Sequence, residues 1–160
     1  MINAPTFKNL VSRFPTGVAV VVASGSDFKP RGCTVSAFLP VSLDPPLVLV
    51  SLHRESETLS AIEYAGAFSV NVLRDDQERV ARRFASGDHA SRFADTVVVY
   101  SNSSEVPALL DSLASLIVRV AYRVAAGDHA LVVGELVGGR VRDGEPLAHC
   151  GSEFRCVRPL

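Results

Sequence analysis

Residues 31–58, RGCTVSAFLPVSLDPPLVLVSLHRESET, contain the two strand-like segments around which we expect the fold to be built. The first segment, residues 33–39, carries the small or hydroxyl side chains of Thr34, Ser36 and Ala37, where a purely structural strand usually carries bulky branched ones. Such a strand lets a flat ligand approach its backbone closely. The composition of this segment therefore predicts a ligand-binding strand.

A turn and a second strand complete the stretch. Asp44, Pro45 and Pro46 impose the turn, and the four apolar residues 47–50 predict a short buried strand. Polar side chains follow it at Ser51, Arg54, Ser56 and Thr58. Hydroxyl groups and a guanidinium at the start of a helix are groups that commonly bind phosphate. We therefore predict a phosphate site beside the flat-ligand strand.

Outward from this stretch, alternating or continuous apolar patterns predict further strands at residues 18–23, 68–73, 116–124, 131–141 and, as a pair, within 146–157. The predicted helices are short: residues 5–13, across one end of a sheet; a helix capped by Ser56 and closed by Gly66; and residues 75–85, begun by Asp75 and Glu78. Residues 89–107 are expected to form a loop with one short strand near 96–100. Many short strands and few small helices favour a β-barrel or sandwich.

Length and charge narrow the classes of function. The 160 residues are most simply one domain, residues 1–160, and 48% of them are hydrophobic. With 16 basic and 17 acidic residues, the sequence has no electrostatic footprint for nucleic acid or for an anionic membrane. No apolar run approaches the roughly 20 residues that a spanning helix requires. We expect neither nucleic acid nor membrane as a partner.

The cysteines and histidines predict neither disulfides nor a metal site. Cys33, Cys150 and Cys156 are odd in number and form no CxxC pair, which favours reduced thiols in the cytoplasm. The four histidines show no metal-ligand spacing, so no metal is expected. Cys33, beside the ligand strand, is interpreted as a small apolar filler.

Five segments, in order, resemble the short-chain flavin reductase family, the reductase components of two-component flavin monooxygenases. They are FPTGVAVV, then residues 31–58, then GAFSVNVL, ARRFAS and AAGDHALVVGEL, and the likeness extends from about residue 14 to about residue 144. The resemblance implies a split β-barrel of Greek-key type, the FMN-binding split barrel, with short flanking helices and a homodimeric state. It also implies that NADH or NADPH reduces FMN or FAD, and that the reduced flavin passes to a partner monooxygenase.

The resemblance also implies three groups of site residues. Thr34, Val35, Ser36 and Ala37 would lie beneath the flavin ring, where backbone and hydroxyl donors stabilise the negative charge that hydride arrival at N5 leaves near N1 and O2. Ser51, Arg54, Ser56 and Thr58 would hold the ribityl phosphate, with Ala85 and Ser86 flanking the flavin. Gly127, Asp128 and His129 would form the nicotinamide contact, with His129 as the catalytic residue that orients nicotinamide C4 over N5.

Simpler interpretations stay open for each motif. Residues 34–37 could be an ordinary strand with one polar face, Ser56 could be only a helix cap, and Gly127–His129 could be only a hairpin turn. At the level of function, the alternatives are a flavin-binding electron-transfer or carrier protein without efficient nicotinamide turnover, and an interaction module with an empty barrel. The segments 94–107 and 148–154 depart from the family pattern, which leaves the choice between NADH and NADPH open.

Overall fold

A computed structural model describes residues 2–86, 89–100 and 105–159, without the side chains of residues 89 and 90. The helices are α1 (Ala4–Val11), α2 (Glu57–Ala65), α3 (Glu78–Ala85) and α4 (His89–Arg92). The strands are β1 (Thr16–Gly17), β2 (Ala19–Ser24), β3 (Pro30–Val35), β4 (Phe38–Leu43), β5 (Pro46–His53), β6 (Ala67–Val72), β7 (Val98–Tyr100), β8 (Pro107–Leu109), β9 (Ala114–Ala126), β10 (His129–Val141), β11 (Leu147–Cys150) and β12 (Glu153–Cys156).

Seven antiparallel strands form the main sheet, in the order β3-β2-β6-β9-β10-β5-β4. Two smaller sheets flank it: β1-β11-β12, and the pair β7-β8. The sheet order brings strands that are distant in sequence together, because β6 is inserted between β2 and β9. The predicted mainly β split barrel with short helices is confirmed. None of the helices within the described residues is long and apolar enough to cross a membrane.

Strand β2 is buried on both faces, which explains its unbroken apolar sequence. Ala19, Val21 and Ala23 pack into the barrel core with residues such as Phe68 and Ile62 of the neighbouring elements. Val20 and Val22, which alternate with these residues, pack on the opposite side against α3 and β11. Each fully buried valine contributes about 1.5–3 kcal/mol relative to an exposed one. The strand therefore joins two hydrophobic clusters.

The predicted strand at residues 33–39 is wrong as a single element. Strand β3 ends at Val35, Ser36 and Ala37 form a bend, and β4 begins at Phe38 and pairs with β5. The chain thereby passes from one edge of the seven-stranded sheet to the other edge, a change of direction that one straight strand cannot make. The small residues of this segment thus occupy a bend at the end of β3.

Helix α1 differs from the expectation that it would cover one end of a sheet. None of its residues is buried, and Phe7, Leu10 and Val11 all stay exposed. Its start is well formed, because the Asn3 side chain accepts a hydrogen bond from the Thr6 backbone nitrogen at 2.9 Å. The helical period correctly predicted an apolar face, although this chain alone leaves that face uncovered.

The predicted caps are confirmed for α2, but the start of the helix predicted at residues 75–85 differs. Ser56 caps α2 by accepting a hydrogen bond from the Leu59 backbone nitrogen at 3.1 Å, and Gly66 ends it in the left-handed region with φ 66°, as predicted. The helix predicted from Asp75 begins instead as a 3-10 turn. There the Gln77 side chain accepts a hydrogen bond from the Arg74 backbone nitrogen at 2.9 Å, so Gln77 takes the role expected for Glu78.

The long hairpin β9–β10 is only half buried. Val118 is fully buried, but Tyr122 and Val124, farther along the same strand, are exposed. The hairpin extends beyond the barrel, so its far half has no core to face. The turn at Gly127–Asp128 is formed as predicted, with Gly127 at φ 63°. The predicted final strand pair is also confirmed, as β11 and β12.

Candidate active site

Strand β3 lies between two groups of the predicted site residues. At its carboxyl end, the Ala37 carbonyl accepts a hydrogen bond from the Ser51 backbone nitrogen at 3.1 Å, which holds the bend against β5. Ser36 and Ala37 are both exposed there. They also line a cavity of about 460 Å³ with apolar residues that include Phe14 and Leu39. The bend is therefore open to a ligand.

The amino end of β3 lies beside the start of α2. Arg31 Nε donates to Glu57 Oε2 at 3.1 Å, and Arg31 Nη2 bonds Asp27 Oδ2 at 3.0 Å. The Arg31 guanidinium lowers the pKa of the Asp27 carboxyl. The capped amino end of α2, with Ser56, is thereby fixed near this end of the strand. A helix amino end favours anions, and Arg31, which is already paired with both carboxylates, serves to position that end.

Ala85 and Ser86 also lie near the amino end of β3. Arg92 joins them to it, because its Nη1 donates to the Gly32 carbonyl at 2.9 Å and its Nε donates to the Ser86 carbonyl at 3.3 Å. Ala85 and Ser86 are exposed at the end of α3. The sequence-predicted residues thus form two groups, one at each end of a strand.

Thr34 and Val35, near the carboxyl end of β3, use their side chains mainly to hold the fold together. The Thr34 hydroxyl donates to the Ala81 carbonyl at 2.7 Å and thereby ties β3 to α3. Val35 is 7% exposed and its side chain packs in the barrel core. What these two residues can present to a ligand is chiefly backbone, together with the acceptor lone pairs of the Thr34 hydroxyl.

Thr58 does not lie where a phosphate ligand must lie. Its side chain is completely buried, and its hydroxyl faces the interior near Cys33. Because the first turn of α2 directs this side chain into the barrel, the expectation that Thr58 holds a phosphate requires correction. Cys33 itself packs against the barrel core, in line with its predicted role as a filler, and burial raises the pKa of its thiol.

The turn predicted to contact the nicotinamide lies against Arg54, one of the residues predicted to bind the phosphate. The Asp128 carbonyl accepts a hydrogen bond from the Arg54 backbone nitrogen at 3.0 Å. His129 is directly opposite His53 in the β10–β5 ladder, and their rings meet edge to face at 5.5 Å between centroids. His129 Nδ1 lies 2.7 Å from Asp128 Oδ1, and this hydrogen bond lowers the pKa of the Asp128 carboxyl. The ionised Asp128 carboxylate accepts a hydrogen bond from Nδ1 and thereby fixes the orientation of the His129 ring.

Together these contacts define one continuous strip, which we call the β3 strip: the Ser36–Ala37 bend, strand β3, and the group formed by Ser56, Ala85 and Ser86. At about 3.3 Å per residue, the extended residues 31–35 span roughly 13 Å. A flat ring at the bend and a phosphate at the far end are compatible with that length. Arg54 connects the strip to the His129 turn.

Three residues of the site were not predicted from the sequence. Arg31 and Arg92 hold the amino end of β3, and His53 touches His129. Arg92 lies in a segment without a clear hydrophobic period, so no periodic signal marked it. His53 could have been found, because it ends the same apolar strand that carries Ser51.

Comparison with known proteins places the chain in a family. The sequence matches the flavin reductase like domain over residues 11–158. It is 38% identical to the FMN reductase (NADH) SmoA of Agrobacterium fabrum, with 95% of this chain and 85% of that protein aligned. It is 36% identical to the reductase component of 4-nitrophenol 4-monooxygenase/4-nitrocatechol 2-monooxygenase of Rhodococcus opacus, over 92% of this chain and 78% of that protein.

A solved structure agrees with these relatives. The NADH:FAD oxidoreductase SgcE6 of Streptomyces globisporus superposes with a TM-score of 0.90, at 29% identity, covering 99% of this chain and 98% of that chain. The sequence resemblance is thereby confirmed over nearly the whole chain. This protein belongs to the flavin reductase family.

Proposed function

We propose that this protein is an NAD(P)H:flavin oxidoreductase that reduces FMN or FAD and supplies the reduced flavin to a partner monooxygenase. The observation that carries the proposal is the contact between the His129 turn and Arg54, which brings a nicotinamide-orienting group next to a flavin-sized strip. The relatives described above are reductases, which supports reductase activity over a flavin carrier. Bound flavin supplies the hydride acceptor, and the nicotinamide supplies the hydride.

The proposed division of labour follows the two ends of the β3 strip. Ser36 and Ala37, with the backbone of Thr34 and Val35, provide the donors beneath the flavin ring. Arg54 and Ser56 bind the phosphate, flanked by Ala85 and Ser86, whereas Ser51, whose backbone holds the bend, lies at the ring end. Preorganised donors of this kind stabilise developing negative charge without a protein acid or base. Gly127 and Asp128 set the turn, and His129 orients the nicotinamide.

The activity is tested by mixing the pure protein with NADH or NADPH and free FMN or FAD, and following the nicotinamide absorbance. We expect oxidation above the uncatalysed rate with at least one of the four combinations. Absence of such oxidation with all four would refute the proposed reaction. A yellow protein that keeps its flavin through desalting, and that NADH fails to bleach under anaerobic conditions, would support the carrier hypothesis instead.

Arg54 is the positively charged residue proposed to bind the flavin phosphate. The substitution Arg54→Gln is expected to weaken FMN binding about tenfold, because a charge-assisted hydrogen bond to phosphate is lost. Riboflavin, which has no phosphate, should bind the variant and the wild type equally. Fluorescence titration measures both affinities.

Arg79→Gln is the matched control, since Arg79 is an exposed arginine in the first turn of α3, at the helix end opposite Ser86. It should leave FMN binding unchanged. Equal weakening of FMN and riboflavin binding by Arg54→Gln would show that the substitution disturbs the fold and not a phosphate contact.

The proposed oligomeric state is a homodimer. Four apolar residues are exposed on the edge strand β4 and on the segment that follows α1. We call them the β4 surface: Phe14, Leu39, Val41 and Leu43. Leu43 is 92% exposed and Phe14 is 75% exposed. Exposed apolar surface of this kind is typical of an interface. Because Phe14 and Leu39 also line the cavity at the Ser36–Ala37 bend, a second copy would adjoin the proposed ring site.

Placing a charge on the β4 surface should dissociate that dimer. The substitution Leu39→Asp is expected to shift the protein from dimer to monomer at micromolar concentration, because a carboxylate would be desolvated in an apolar contact. Sedimentation velocity over a range of concentrations measures the change. Val141→Asp, at an exposed apolar residue on the end of β10, should leave the assembly unchanged. A dimer that survives Leu39→Asp would place the interface elsewhere.

The cytoplasm is the proposed location, and it rests on the state of the cysteines. Cys33, Cys150 and Cys156 are all free thiols in the structure. Free cysteines in a small protein are typical of reducing compartments.

A further inference from the structure

A second cavity lies apart from the β3 strip. It has a volume of about 360 Å³ and lies between the β7–β8 pair and the ends of β9 and β10. Its wall is about equally polar and apolar: Val99, Ala108, Ile117 and the ring of Tyr100 are apolar, and the remaining lining residues are Ser115, Gly139 and Arg140. The volume falls within the range of small-molecule sites.

Arg140 is the charged residue that lines this cavity. Its Nη2 donates to the Leu109 carbonyl, but Nε is buried and has no hydrogen-bond partner among the described residues. Nε has almost no accessible surface, so a ligand in the cavity would meet the other guanidinium nitrogens and not Nε. Burial, together with the nearby charge of Arg142, lowers the pKa of Arg140.

The other polar groups around the cavity are paired with partners of their own. The Ser115 hydroxyl donates to Asn71 Oδ1 at 2.9 Å and pairs with Ser112 Oγ at 2.7 Å, so it belongs to a buried network of its own. The nearest acid, Asp111, is paired with Arg142 at 3.7 Å. The cavity therefore combines several apolar side chains with one cation, Arg140.

We propose that this cavity is a binding site for a small organic carboxylate, with Arg140 receiving the carboxylate and Val99, Ala108 and Ile117 contacting the apolar body of the ligand. A guanidinium accommodates a carboxylate better than it does a neutral amide, because its donors form a fork that matches the two oxygens. The apolar side chains select against acetate or inorganic phosphate, which have no apolar body to bury. The site goes beyond the flavin reductase activity and shares no lining residue with the proposed flavin and nicotinamide site.

Calorimetric titration of the full chain with benzoate, benzamide and acetate tests the site. We expect benzoate to bind, and benzamide and acetate to bind at least about tenfold more weakly, because each lacks one of the two features that the cavity recognises. Failure of benzoate to bind, or equal binding of benzoate and benzamide, would overturn the proposal.

Substitution locates the binding. Arg140→Met is expected to weaken benzoate binding at least about tenfold, whereas Arg142→Met, which removes the neighbouring charge, should weaken it far less. Flavin reduction by both variants should match that of the wild type. If Arg140→Met does not fold, Arg140→Lys serves in its place, because it keeps the charge and removes the fork of guanidinium donors. Benzoate binding that is unaffected by substitution of Arg140 would assign the ligand to another site and overturn the proposal.

Discussion

Replacing His129 with asparagine is expected to raise the KM for the nicotinamide substrate by about tenfold or more, with little change in flavin affinity. The reason is positional. Asp128 fixes the ring through a 2.7 Å hydrogen bond to Nδ1, which leaves Nε2 free of that contact. Asparagine lacks the ring and cannot place a hydrogen-bonding nitrogen at the same point. Steady-state kinetics against NADH or NADPH, with a separate flavin titration, measures the two effects.

His149→Asn is the matched control, because His149 lies on β11 in a different sheet and packs against Phe154. It should change neither constant. An unchanged nicotinamide KM in His129→Asn would show that the residue only shapes a hairpin turn. A parallel loss of flavin affinity would instead place His129 in the flavin site.

Replacing Gly134 with alanine is expected to destabilise the protein by roughly 2 kcal/mol, with a fall in Tm of about 4–8 °C. Gly134 lies where β10 shifts register against β9. A Cβ atom there would overlap the Val118 side chain and approach the Arg119 carbonyl oxygen to 2.6 Å. The backbone of the neighbouring strand would have to move. Chemical and thermal unfolding measure the loss.

Gly138→Ala provides a control on the same strand. The nearest atom to an added Cβ there is in Ile117, at 4.0 Å, so no overlap arises. Its stability should stay within about 0.5 kcal/mol of the wild type, because only backbone entropy and a small surface change are involved. Equal destabilisation by both substitutions would show that crowding is not the cause.

Much of the barrel could be predicted because burial fixes the sequence locally. The continuous apolar run of β2 reflects a strand covered on both faces, and the Ser56 and Gly66 caps of α2 are determined by hydrogen bonds within a few residues. The site residues came from the family resemblance. Composition and periodicity indicated only a strand of small residues and a nearby anion site.

What the sequence could not supply depends on contacts between distant segments. The exposed face of α1 carries a periodic signal that says nothing of what covers it. Thr58 and Ser56 are both hydroxyl residues at a helix start, yet the helix directs Thr58 into the core. Arg92 acquires its role only when α4 approaches β3. The bend at Ser36 reflects a passage between sheet edges that no local pattern marks.

The two irregularities of the β9–β10 hairpin have opposite senses and cancel. Between Val133 and Gly134, β9 carries the additional residue Ala121, and between Leu136 and Gly138, β10 carries the additional residue Val137. The ladder is therefore in the same phase at the tip as at the base. In a strand pair, a one-residue slip inverts which side of the sheet each side chain faces. The tip and the base of the hairpin thus keep the same facing, and His129 at the tip is also held by an unshifted pairing with β5, which runs from His129 opposite His53 to Glu135 opposite Leu47.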